Sequence, residues 1–275
     1  MSLTVNTNVS SLTAQANLSR TSRSLSDSFG RLSSGLRISK AADDAAGLGV
    51  AENLDTIARS ARVAMRNAND GISVIATAEG ATNEVGNILK RMRELAVQSS
   101  SETLADDERA YVQDEFEQLS SEVDRIASST EFNGTALTDG TTTSMAVQVG
   151  VNGTASDQIT ITLGDLTAAT LGVDTASLDL STATGAQAAL AGLDTALDTV
   201  SAQRGSFGAV QNRLGSALNN LETYSTNLKS AESTIRDADF AYETAELTKN
   251  QVMQQAGISV LAQAKGVSSS ALSLL

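Results

Sequence analysis

The chain has 275 residues, with 19 Lys and Arg against 32 Asp and Glu, for a formal net charge of −13. It contains no Cys, His, Trp or Pro. Disulfides, thiolate zinc sites and cysteine nucleophiles are therefore excluded, as are imidazole metal ligands and Ser-His-Asp triads. The acidic balance argues against nucleic acid as a partner. No run approaches the roughly 18 consecutive apolar residues of a membrane span. The first basic residue is Arg20, so a cleavable signal peptide is not expected. With only 5 Phe and 3 Tyr, any core must be aliphatic and alanine-rich.

Residues 1 to 19 are uncharged. Leu25, Phe29, Leu32 and Leu36 then form a short heptad seam. Gly47-Leu48-Gly49 lacks both the third glycine and the preceding strand of a dinucleotide loop and reads as a break between two helical rods. Val50, Leu54, Ile57, Ala61, Ala64 and Ala68 step by three and four, which keeps one face apolar. Asn69-Asp70-Gly71 interrupts them, and Ile72, Ile75, Val85, Ile88, Met92 and Leu95 resume. A second helix reads Val112, Phe116, Leu119, Val123 and Ile126, with Asp106, Asp107 and Glu108 placed favourably at its N-terminal dipole.

Between Arg125 and Arg204 there is no Lys or Arg, while eight acids fall there. Within this Thr-, Gly- and Asp-rich stretch, residues 145–149 and 158–163 alternate with period two around Asn152-Gly153, the pattern of a hairpin. From Leu190 to Ile235 the three-and-four spacing never lapses, and it predicts a long coiled-coil or bundle helix. Arg204 is the one charged member of that stripe, as an ion-paired or snorkelling side chain. Near the end, Phe240 and Leu247 are seven apart, as are Met253, Val260 and Val267. These charge-poor strips need a partner, either the domain core or each other and neighbouring subunits. The acidic clusters Asp43-Asp44, Asp106-Asp107-Glu108 and Asp237-x-Asp239 read as caps, solvated faces and inter-subunit salt bridges rather than as glycosidase carboxylates. Asn152 to Asp157 lacks the ligand spacing of a calcium loop and reads as a turn.

A series of motifs runs along the chain: Phe29-Gly30-Arg31-Leu32-Ser33-Ser34-Gly35-Leu36-Arg37-Ile38, Ala41-Ala42-Asp43-Asp44-Ala45-Ala46-Gly47, Asn67-Ala68-Asn69-Asp70-Gly71-Ile72-Ser73, Arg93-Glu94-Leu95-Ala96-Val97-Gln98, Gly208-Ala209-Val210-Gln211-Asn212-Arg213-Leu214, Ile235-Arg236-Asp237-Ala238-Asp239-Phe240-Ala241 and the closing Leu274-Leu275. In this order the series resembles bacterial flagellin along nearly the whole chain. The chain departs from the family at Thr82, where a leucine is usual, and at Ala264-Lys265-Gly266, where the family has a proline-containing segment.

The resemblance implies a mainly α protein, a long helical coiled-coil rod with a small β-hairpin region. Its domains would be discontinuous: 1–44 a filament-core helix, 45–138 the first part of the rod, 139–185 a hairpin and short variable region, 186–236 the long rod helix, and 237–275 a second filament-core helix. It implies a non-enzymatic structural subunit of the flagellar filament, without cofactor, metal or membrane span, exported to the cell exterior. Implied partners are further copies of itself, an export chaperone and the type III export apparatus, junction and cap proteins, and the vertebrate innate flagellin receptor. Receptor contact would fall to Arg91, Leu95 and Glu115, with Lys90 where recognised members have glutamine. The filament-core seam would comprise Leu25, Phe29, Leu32, Leu36, Phe240, Leu247, Met253, Val260 and Val267. A hook–filament junction protein and a secreted membrane-active helical protein are the alternatives.

Overall fold

A computed structural model describes residues 7–272, with side chains through Gly266. The side chain of Val267, like Leu274-Leu275, lies outside the described residues. The elements are α1 (Val9–Ser34), α2 (Ala45–Ser99), α3 (Asp106–Ser129), β1 (Glu131–Phe132), β2 (Thr135–Ala136), β3 (Ser144–Gln148), β4 (Gln158–Thr162), α4 (Ala168–Leu171), α5 (Ala183–Arg236) and α6 (Phe240–Leu272). The fold is mainly α, and it divides into two compact units, residues 1–57 with 226–275, and residues 58–225.

Helix boundaries follow local chemistry. Gly35 ends α1 in the left-handed conformation, at φ 70°, and its N–H reaches the Arg31 carbonyl at 2.8 Å; glycine adopts this conformation without a Cβ penalty. In the following turn, Asp43 Oδ2 accepts the N–H groups of Lys40 (3.0 Å) and Ser39 (3.1 Å). Those donors, Lys40 foremost, hold the Asp43 carboxyl below the usual carboxylate range. Asp44 Oδ1 accepts the Gly47 N–H at 2.9 Å, capping the first turn of α2. At α3, Glu108 reaches back to the Ala105 N–H at 3.0 Å, and three acids occupy the first turn. The buried Arg109 guanidinium donates to the carbonyls of Ser99 (3.1 Å) and Ser101 (2.9 Å). It thereby satisfies acceptors that the C-terminus of α2 leaves open.

Two expected breaks are absent. Helix α2 runs unbroken through Gly47-Leu48-Gly49 and Asn69-Asp70-Gly71. The interruption falls at residues 35–44 instead. Gly71 is explained by packing, since a Cβ there would stand 3.0 Å from Val147 Cγ2 on β3. Helix α5 likewise begins seven residues before the first residue of its apolar stripe, at Ala183.

In the unit of residues 58–225, α2 and α5 run antiparallel, as Arg93 Nε to Asp194 Oδ1 at 2.6 Å and Gly71 beside Leu214 show. One apolar cluster joins Val85, Leu89, Met92 and Leu95 of α2 to Val112, Phe116 and Val123 of α3 and to Leu193 and Val200 of α5. A second joins Ile75, Val147, Ile159, Ile161, Phe207 and Leu214. Buried alanines, among them Ala61, Ala64, Ala68 and Ala78, let the helix backbones approach closely. Val50, in the other unit, is exposed and not part of a core face. Arg204 is also off the core stripe. Its side chain is 45% exposed and lies 3.9 Å from Glu79, because the buried positions are Val200, Phe207, Val210 and Leu214.

Strands β3 and β4 pair antiparallel, Ser144 with Thr162 through Gln148 with Gln158. Residues 149–157 connect them, including a single 3-10 turn at Ala155–Asp157. The tight Asn-Gly turn lies elsewhere, at Asn133 (φ 51°) and Gly134 (φ 75°) between β1 and β2, the dihedral signs such a turn demands. Phe116 is fully buried at the meeting of three helices. Phe116→Ala should lower the unfolding free energy of this unit by about 3–5 kcal/mol, a large-to-small core change, read from the denaturant midpoint; a loss under about 1 kcal/mol would contradict the packing described.

Candidate self-association surface

In the unit of residues 1–57 and 226–275, α1 and α6 lie side by side and antiparallel. Asn8 Nδ2 donates to the Ala264 carbonyl (2.8 Å) at one end, and Arg31 Nη1 to Glu243 Oε1 (3.2 Å) at the other. Beyond the helix ends, Leu36 bridges Asp237, the Arg37 N–H reaches the Arg236 carbonyl (2.7 Å), and Ala238 N–H reaches the Gly35 carbonyl (2.9 Å). Lys229 of α5 joins Asp55 of α2 at 2.6 Å and Glu232 at 2.7 Å; the hydrogen bonds it donates to these carboxylates, Asp55 first, raise the Lys229 pKa.

The face shared by α1 and α6 has a two-row pattern. On α1, Leu18, Leu25 and Leu32 repeat at seven, and so do Ala14, Thr21 and Ser28. On α6, Leu247, Gln254 and Leu261 repeat at seven, beside Glu243, Asn250, Gly257 and Ala264. All of these are buried or half-buried. The buried members are Thr21, Ser28, Glu243 and Asn250, none of them apolar. Gly257 permits close approach, since its Cβ would stand 3.3 Å from Leu18 Cδ1. A carboxylate buried like that of Glu243 is costly unless paired, and Arg31 pairs it.

The apolar side chains point elsewhere. Phe29 is 63% exposed and Val260 54% exposed. Val9, Leu12, Phe240, Tyr242, Val252, Met253 and Ile258 are exposed as well. At about 100° per residue, Met253 and Val260 lie on one flank of α6, Phe240 and Ile258 on the other, and Val252 opposite the shared face. Helix α6 thus carries exposed apolar side chains on both flanks and on its far side. Such a helix belongs in a buried environment.

The nine residues expected to form one filament seam therefore divide. Leu25, Leu32 and Leu247 sit half-buried between α1 and α6, while Phe29, Phe240, Met253 and Val260 face away from it. Leu36 lies beyond the end of α1, in the bridge to Asp237. Of the three residues expected to meet a receptor, Arg91 and Glu115 are brought together in the second unit, with Nε and Nη2 2.9 and 2.7 Å from Glu115 Oε1. Leu95 is only 2% exposed, inside the first apolar cluster. Glu115 is the leading cause of a raised Arg91 pKa. The buried Arg109 and the Glu243 carboxylate were not anticipated from sequence; Asp106, three residues before Arg109 and paired with it at 3.0 Å, is the available signal for the first.

At the two departures from the expected motifs, Thr82 is buried and its hydroxyl donates to the Ala78 carbonyl at 2.6 Å. Helix α6 runs straight through Ala264-Lys265-Gly266, as the absence of proline allows. Among the described residues, no three His, Cys, Asp or Glu side chains cluster as a metal site, and no helix is long and apolar enough to cross a membrane.

Comparison with known proteins accounts for this arrangement. The bacterial flagellin N-terminal helical region matches residues 5–143, and the bacterial flagellin C-terminal helical region matches residues 190–275. Flagellin D of Vibrio cholerae serotype O1 is 43% identical over 166 residues, covering 60% of this chain and 44% of that protein. Phase 1 flagellin of Salmonella naestved is 43% identical over 174 residues, 63% of this chain and 34% of that protein. The chain thus spans less than half the length of these relatives. The crystal structure of Bacillus cereus flagellin superposes with a TM-score of 0.50 at 32% identity, covering 61% of this chain and 94% of that one. With matched regions at both ends and helices paired across them, the chain belongs to the bacterial flagellin family.

Proposed function

We propose that this chain is a structural subunit that polymerises into the bacterial flagellar filament outside the cell and serves motility, with no enzymatic activity. The observation that carries the reading is α6, which turns apolar side chains to solvent on both flanks and on its far side while the most buried residues of its one intramolecular face, Glu243 and Asn250, are polar. A dimer would cover one flank of such a helix; a helical polymer, in which each subunit meets several neighbours, covers all of them. Under this reading residues 1–44 and 237–275 form the filament core, 45–138 and 186–236 the surrounding rod, and 139–185 a short outer region that leaves the filament thin and smooth. Phe29, Phe240, Met253 and Val260 contact neighbouring subunits, and Leu25, Leu32, Leu36 and Leu247 hold the pair of core helices together. An export chaperone, the type III export apparatus and the junction and cap proteins are the transient partners.

Phe29→Asp and Val260→Asp place a carboxylate on solvent-exposed positions of the monomer, so each subunit should keep its circular dichroism and melting temperature. In the polymer the same charge is buried without a partner, which costs several kcal/mol per contact. Both variants should fail to form filaments under electron microscopy. Normal filaments of unchanged thermal stability would contradict the reading.

A second reading concerns the innate flagellin receptor. Arg91 and Glu115 form an exposed pair on adjacent helices, while Leu95 is buried in the first apolar cluster. In a receptor reporter assay, dissociated wild-type subunits should signal, and Arg91→Ala should reduce that signal at least tenfold. Undiminished signalling by Arg91→Ala would remove this site.

A further inference from the structure

In the unit of residues 58–225, two exposed helical stripes outside the core helix pair share one pattern. On α2, Arg59, Val63 and Arg66 step by four and three; all are exposed, Val63 by 44%. Arg62 adds a further exposed cation beside them. On α3, Asp107, Tyr111 and Asp114 step by the same four and three, all exposed, Tyr111 by 75%. Residues at these spacings fall on one face of a helix. Each stripe is an apolar centre flanked by charges, and the charges are opposite. Arg62, Arg66, Asp107 and Asp114 make no ion pair among the described residues. No acid falls between Asp55 and Asp70 on α2, and the only base on α3 before Arg125 is the buried Arg109.

We propose that the α3 stripe of one copy docks on the α2 stripe of a second copy of this chain. Tyr111 seats on Val63 and the adjacent groove lined by Ala64 and Val151, and the carboxylates of Asp107 and Asp114 face the guanidinium groups of Arg59, Arg62 and Arg66. The spacing is nearly symmetric about the central residue, so the match holds whichever way the two helices run. The guanidinium groups also lie within reach of the tyrosine ring face, a favourable cation–π arrangement. Because the two patches differ, the contact is heterologous and leaves a free patch of each kind after every addition. Where the rotation between copies does not close, such a contact propagates an open chain, the form a filament requires. This inference rests on the filament reading and adds a contact that the core helices do not supply.

The full chain supplies the test, with two charge-reversed variants, Asp107→Lys/Asp114→Lys and Arg62→Glu/Arg66→Glu. At about 50 mM salt each variant alone should need at least tenfold more protein than wild type to polymerise, measured by sedimentation. An equimolar mixture should polymerise near the wild-type concentration, because every contact in an alternating chain again joins opposite charges. Misfolded proteins would not rescue each other, so recovery in the mixture separates a lost contact from a lost fold. The defect should shrink at about 1 M salt, where the screening length is roughly 3 Å. Single variants that polymerise like wild type, or a mixture no better than its components, would overturn this contact while leaving the filament reading standing. Failure of the wild type itself to polymerise at any salt would overturn both.

Discussion

Two helices that bury threonine, serine, asparagine and glutamate between them, and turn phenylalanine, valine and isoleucine outward, do not make a self-sufficient core. That is the condition of α1 and α6. Their shared face is specific rather than greasy: leucine rows alternate with small or polar rows, and the ends are fixed by Asn8 on the Ala264 carbonyl and by Arg31 on Glu243. Polar groups at seam positions set register and orientation at some cost in stability. The hydrophobic gain that would offset the backbone entropy of two long helices, about 1–2 kcal/mol per residue, must come from outside the pair.

The unit of residues 58–225 meets the opposite condition. Its three long helical segments and its hairpin enclose Phe116, Phe207, Met92, Ile161 and other side chains that are fully buried, and its helix ends are satisfied from within, as Arg109 does for α2. It has the interior of an ordinary globular domain. One unit supplies a stable body, and the other supplies surfaces that gain only when copies meet. In the filament proposed above, this division of labour would make assembly cooperative, since each added neighbour would cover a further side of α6.

Much of this was legible in the sequence wherever periodicity and burial agree within one chain. The stripe from Val112 to Ile126 became a face of α3, the stripe from Leu190 to Ile235 became α5, and the alternating segments near Val147 and Ile161 became a hairpin. Where the reading failed, tertiary context decided. Gly71 looks like a breaker until Val147 is seen against it, and Arg204 shares the spacing of a core stripe yet lies one step off the buried face. The seam residues divide for a deeper reason. A heptad of apolar residues identifies a face that wants covering and carries no information on whether the cover is the same chain. Here the chain's own partner face is the more polar one, so Phe29 and Val260 fall outside it.

The central claim is that these outward residues are open in the subunit and closed in the polymer. The absence of native cysteine allows a direct measurement: thiol labelling rates for single variants Val260→Cys, Phe29→Cys and Thr21→Cys, in dissociated subunits and in filaments. Cysteines at 260 and 29 should react rapidly in the subunit and at least tenfold more slowly in the filament, while the one at 21, between α1 and α6, should react slowly in both. Equal rates at 260 in subunit and filament would contradict the account.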